Sequence, residues 1–186
     1  MKKILLFAAI FCGLLISVRA GDSAVTLSHV HLCCDKCVKG VEKAVSRVSG
    51  ANAVCDKAAG TVTLTGADKA TLQKAVNAIN KAGYCGESSD ASIAGSNSIT
   101  VGAKDAKVKS LKISGVHLCC GKCVKAVNAA VSKVPGVTGV TVVKEDGSVE
   151  VAGDFSADEV VAGLNKAGFT GNRWHVKGVH HPQPGV

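Results

Sequence analysis

His31-Leu32-Cys33-Cys34-Asp35-Lys36-Cys37-Val38-Lys39 returns 86 positions later as His117-Leu118-Cys119-Cys120-Gly121-Lys122-Cys123-Val124-Lys125. Six of the nine cysteines lie in these two stretches. Each stretch holds a Cys-x-x-Cys pair with one more cysteine in front of it. Packing alone gives no reason to repeat that pattern. Thiolates are soft ligands that select Cu(I), zinc and similar ions, so two copies point to two metal-thiolate sites on one chain.

The residues around each copy repeat as well. In the first, Val25 and Leu27 alternate with Thr26 and Ser28, which predicts a strand over 24–30. After the cysteines, Val38, Val41, Val45 and Val48 fall on one helical face, and Gly50 ends the helix. Residues 51–55 and 61–65 read as two short strands joined by a turn. Leu72, Val76 and Ile79 mark a second helix, closed by Gly83. In the second copy, Leu111 and Ile113 belong to the first strand, and Val124, Val127, Val131 and Val134 form the helical stripe. Pro135-Gly136 stops that helix. Residues 138–144 and 148–152 form a hairpin across Glu145-Asp146-Gly147. Ser156-Ala157-Asp158-Glu159 is a capping box that opens the next helix. Gly168 closes it, and a final strand follows near 173–176.

This order predicts an α+β fold of two tandem ferredoxin-like βαββαβ domains. We place the first domain at 24–88, a linker at 89–107, the second domain at 108–176 and a flexible tail at 177–186. The stretch from Glu87 to Ala106 is rich in Ser, Ala, Gly and Asp and lacks a large apolar stripe; residues 98–101 are a candidate further strand for the first domain. With aromatics at 3%, Val, Ala, Leu and Ile must build both small cores.

Residues 1–20 read as a signal peptide. Lys2 and Lys3 precede an apolar run from Ile4 to Val18, and Val18-Arg19-Ala20 supplies a cleavage site. The run is short for a transmembrane helix. Cleavage removes Cys12 and lowers the formal charge from +8 to +5. The expected location is periplasmic or secreted, with no membrane association beyond the signal peptide. The basic residues are scattered and not interleaved with aromatics, so no nucleic-acid partner is expected. Export implies an oxidising compartment, so the same cysteines are candidates both for metal binding and for disulfides.

The two copies resemble the heavy-metal-associated domain family, which includes copper chaperones, N-terminal domains of copper-transporting P-type ATPases and a periplasmic mercury-binding protein. The family motif Gly-Met-x-Cys-x-x-Cys is matched from His31 to Cys37 and from His117 to Cys123. Asn80-Lys81-Ala82-Gly83-Tyr84 and Asn165-Lys166-Ala167-Gly168-Phe169 are similar to the family's Ala-Gly-aromatic ending of the second helix. His31 and His117 stand where the family has Gly, Leu32 and Leu118 where it has Met, and Cys33 and Cys119 are additions. The resemblance implies metal binding at Cys34/Cys37 and Cys120/Cys123. It places Cys85 beside the metal loop, either as a further sulfur or as a disulfide partner of Cys55 or Cys33.

Two cysteines spaced in this way at a helix start aim their sulfurs at one centre. The helix N-terminus favours the thiolate form. Two thiolates suit linear Cu(I) or Hg(II). Cys33 or Cys119 would make the site trigonal, and His31 or His117 would complete a four-ligand zinc site. The expected ligand is Cu(I), with zinc or mercury as alternatives. The expected activity is to bind, buffer or transfer the ion, with a metal-transporting ATPase or other metal-exchange protein as partner. No nucleophile-and-base constellation is visible, so no enzyme is expected. The competing reading is a thiol–disulfide redox protein using the same pairs.

Overall fold

A computed structural model describes residues 23–96 and 106–178. The expected signal peptide with Cys12, the candidate strand at 98–101 and the expected tail beyond Gly178 lie outside the described residues.

The first unit contains β1 (Ser23–Ser28), α1 (Asp35–Val45), β2 (Ala51–Asp56), β3 (Thr61–Gly66), α2 (Lys69–Lys81) and β4 (Glu87–Ser88). The second contains β5 (Lys107–Ser114), α3 (Gly121–Val131), β6 (Val137–Val143), β7 (Ser148–Ser156), α4 (Ala157–Lys166) and β8 (Arg173–Lys177). Each unit carries one four-stranded antiparallel sheet, ordered β2-β3-β1-β4 and β6-β7-β5-β8. Two tandem ferredoxin-like domains are what the sequence predicts.

Period-2 patterning decides which strand face is covered. Val25, Leu27, Val62 and Leu64 turn inward in the first sheet, and Leu111, Ile113, Val149 and Val151 in the second. Helices α1 and α2 cover the first core, with Val41, Val45, Leu72, Val76 and Ile79 buried; Val127, Val131, Val160 and Leu164 do the same in the second.

The helical stripes begin one residue earlier than the valine spacing suggests. Cys37 and Cys123 are fully buried, whereas Val38 and Val124 are only half-buried. The second cysteine of each pair is therefore part of the core-facing stripe. Helix α1 also ends at Val45, and a turn carries the chain to Gly50, whose φ is +77°. The last strand of the first domain is the two-residue β4, paired with β1 at Leu27–Ser88 and Ser28–Glu87. Just beyond it, Ile93 packs into the first core, so the polar stretch after β4 still contributes one anchor.

Turn chemistry fixes the cysteine loops from below. In the first domain the β2–β3 turn accepts a backbone hydrogen bond from Val30 at the Gly60 carbonyl, 2.9 Å long. In the second, Val116 donates to the Gly147 carbonyl at 3.0 Å. Gly60 and Gly147 both have φ of +64°, which side chains rarely adopt. Asp68 and Ser156 cap α2 and α4 by accepting from the Thr71 and Glu159 amides.

No helix among the described residues is long and apolar enough to cross a membrane.

Candidate metal centre

Leu32 and Leu118 are buried, and the alternation of an extended chain sets the flanking residues on the other side. Cys33 and Cys119 therefore leave the chain on the side opposite Leu32 and Leu118, and each packs half-buried against the edges of both cores. Cys34 and Cys120 are the N-cap residues of α1 and α3, and Cys37 and Cys123 lie in the first turn of each helix. The sulfurs of Cys34 and Cys37 are 3.8 Å apart, and those of Cys120 and Cys123 are 3.9 Å apart.

The two domains face each other through these loops. Cys119 Sγ lies 3.5 Å from both Cys34 Sγ and Cys37 Sγ, in the other domain. Reciprocally, Cys33 Sγ lies 3.5 Å from Cys120 Sγ and 3.6 Å from Cys123 Sγ. Within the domains, Cys33 is 3.7 Å from Cys37, and Cys119 is 3.6 Å from Cys123. Two four-sulfur groups result, Cys33/Cys34/Cys37/Cys119 and Cys33/Cys119/Cys120/Cys123, each with all sulfurs within 4.8 Å.

The protonation pattern follows from position. Backbone N–H groups at the start of α3, led by that of Cys123, lower the Cys120 thiol to about 6. The N–H of Cys37 lowers Cys34 in the same way. Burial pushes Cys33, Cys119 and Cys37 up. A shallow cavity lined by Cys33, Cys34, Cys120, Gly121, Lys122 and Lys125 opens the sulfurs to solvent, so the first cysteine of each pair is at the exposed edge.

The Ala-Gly-aromatic segments hold the facing arrangement. Gly83 and Gly168 have φ of +88° and +82°. A methyl group on Gly83 would strike the backbone of His117 and Gly115, and one on Gly168 would strike His31 and His29. Each domain thus docks this segment under the cysteine loop of the other. Cys85 N–H donates to the Gly168 carbonyl, and Thr170 N–H donates to the Gly83 carbonyl, at 3.3 and 3.2 Å.

The histidines serve this interface. His117 stacks on Tyr84 with ring centroids 4.2 Å apart, and its Nε2 is 2.8 Å from the Tyr84 hydroxyl. His31 lies 4.3 Å from the Phe169 ring. Burial holds both imidazoles below the ordinary histidine range. Neither belongs to the four-sulfur groups.

Cys85 also lies apart from them. It is fully buried, and its thiol faces the Phe169 carbonyl at 3.1 Å. Cys55 sits half-buried on β2, where burial raises its thiol to about 11. Neither is in a disulfide. His175 is an exposed residue on β8. What sequence reasoning missed is that Gly83, Gly168 and the Tyr84–His117 pair join the domains. The repeated Ala-Gly-aromatic ending was the visible signal, although each copy serves the other domain.

The profile of the heavy-metal-associated domain matches residues 27–84 and 110–170. No curated protein matches the chain with significance. Among solved structures, an oxidised MerP from Ralstonia metallidurans CH34 is 28% identical, covering 39% of this chain and 97% of its own, with a TM-score of 0.31. The apo heavy-metal-associated domain of a copper chaperone for superoxide dismutase is 27% identical, covering 48% and 88%, with a TM-score of 0.33. The N-terminal soluble domains of Bacillus subtilis CopA are 15% identical, covering 84% and 94%, with a TM-score of 0.30. The profile spans most of both repeats, cysteine loops included, and the chain belongs to the heavy-metal-associated domain family.

Proposed function

We propose that this protein is an exported, non-enzymatic carrier or buffer of a soft metal ion, with Cu(I) as its cargo ahead of zinc or mercury. The observation that carries the reading is the convergence of both Cys-x-x-Cys pairs on one six-sulfur assembly with a solvent-facing edge. Sulfur-rich sites favour Cu(I) and other soft ions. Release would proceed by ligand exchange: an incoming partner thiolate joins the ion at the Cys34 or Cys120 edge before a resident sulfur leaves. The partner this chemistry fits is another thiol-bearing metal-exchange protein, such as the N-terminal domain of a metal-transporting ATPase.

The lowered Cys120 thiol favours one competing activity, since such thiols also attack disulfides. One experiment separates the two. The chain lacking residues 1–20 is reduced without oxygen and titrated with Cu(I), Zn(II) and Hg(II) against chelators. A parallel sample is assayed for reduction of a small disulfide. Tight Cu(I) binding that is lost when Cys34, Cys37, Cys120 and Cys123 are all Ser supports the carrier. Weak binding with disulfide turnover supports the redox protein. Export is tested separately: the mature protein in the secreted or periplasmic fraction should begin at Gly21.

A further inference from the structure

We propose that the two domains share one binuclear metal–thiolate centre with exchanged ligands, in which Cys119 completes the Cys34/Cys37 site and Cys33 completes the Cys120/Cys123 site. This deepens the metal-binding reading and rests on it. In the simpler arrangement each domain would hold its own ion on its own pair.

Three observations favour the shared centre. The first is distance. At a metal–sulfur length of about 2.3 Å, a linear pair needs its sulfurs about 4.6 Å apart, a trigonal set about 4.0 Å and a tetrahedral set about 3.8 Å. The pairs stand at 3.8 and 3.9 Å, too close for linear binding and suited to a third or fourth sulfur. The second is where that third sulfur comes from. In each trio the added sulfur is the other domain's extra cysteine, at 3.5–3.6 Å from both members of the pair. The third is sharing. Cys33 and Cys119 belong to both four-sulfur groups, so each is placed to bridge two ions.

The interface supports this geometry without the ions. Gly83 and Gly168 permit close backbone approach, and the Tyr84–His117 and His31–Phe169 contacts sit beside the two cysteine loops. A ligand set held by folded elements loses less freedom when the ion arrives. The extra cysteine in each repeat then has a function that a single isolated domain cannot give it.

The test strips one domain of its pair and asks whether its remaining cysteine still matters. Full-length mature chain carrying Cys34→Ser and Cys37→Ser keeps Cys33, Cys119, Cys120 and Cys123. It should bind one Cu(I). Adding Cys33→Ser should weaken that ion at least tenfold, although Cys120 and Cys123 are untouched. X-ray absorption on wild-type protein loaded with two Cu(I) should count three or more sulfurs per copper and show a copper–copper path. Cys33→Ser without effect in the stripped chain, or two sulfurs per copper and no copper–copper path in the wild type, overturns the shared centre while leaving metal binding intact. No tight Cu(I) binding by the wild type removes both readings together. The absorption measurement needs no variant, so a misfolded variant cannot rescue or sink the proposal.

Discussion

The Tyr84 hydroxyl lies 2.8 Å from His117 Nε2 across the domain boundary, and the equivalent pair, Phe169 and His31, has no such bond. His31 Nε2 is buried without a hydrogen-bond partner. Gly40 explains the difference: a methyl group there would meet the Tyr84 hydroxyl. The corresponding position in the second repeat is Ala126, which packs against the core containing Phe169. Gly with Tyr and Ala with Phe are matched pairs.

Tyr84→Phe should therefore cost about 1 kcal/mol, the usual net worth of one hydrogen bond, because the His117 left behind is only part-buried. Urea unfolding of the reduced, metal-free chain reads it. Phe169→Tyr should also destabilise, because its hydroxyl meets Ala126. Combined with Ala126→Gly it should recover part of the loss by satisfying His31 Nε2. Two losses that simply add would contradict the pairing.

Gly83→Ala and Gly168→Ala should each separate the domains while leaving their cores folded. The positive φ alone costs about 1–2 kcal/mol for a residue with a Cβ, and the methyl group also meets the backbone of the facing loop. Small-angle scattering should show a larger radius of gyration, with the circular dichroism signal kept. An unchanged radius in both variants would mean that the facing arrangement does not depend on these glycines.

The thiols should titrate unevenly. Cys120 is lowered to about 6 from an ordinary value of 9.0, so in the metal-free protein it is a thiolate at neutral pH. A depressed folded value adds stability that is complete above about 9 and is lost as pH falls through about 6. Thiolate absorbance should rise near pH 6, and Cys120→Ser should remove that step. Iodoacetamide at pH 7 should modify Cys120 before the buried-raised Cys33 and Cys119. Equal labelling of all three would contradict the assigned electrostatics.

Leu32 is 5% exposed and supports the loop between Cys33 and the core. Leu32→Ala should cost about 2–5 kcal/mol, as for other buried leucines. Leu32→Met should cost less than about 1.5 kcal/mol, since volume and flexibility allow repacking. Thermal unfolding of the two variants should rank them in that order, with metal affinity following stability only for Ala.

The strands, helices and cysteine loops were legible because their signals are local. Val25/Leu27 and Leu111/Ile113 alternate, valines recur at helical spacing, and Asp146-Gly147 and Ser156–Glu159 state a turn and a cap. Val41, Val45, Val127 and Val131 are buried as their spacing predicts, but each stripe starts at Cys37 or Cys123 and not at Val38 or Val124, because those cysteines are core as well as chemistry. The two-residue β4 carries too little pattern to be seen, and Ile93 is a single apolar residue in a polar stretch.

The sequence by itself determined two copies of a ferredoxin-like domain, each with a thiol pair at a helix start, because periodicity and motif spacing act within a few turns of chain. Only the tertiary structure decided that the copies face each other, that Cys33 and Cys119 reach across, and that His31 and His117 meet aromatic rings of the opposite domain. Those relationships join residues far apart in the chain, 33 positions for Tyr84 and His117 and 90 for Cys33 and Cys123. They arise from glycines that let two backbones touch, and no local pattern records which surface will be touched.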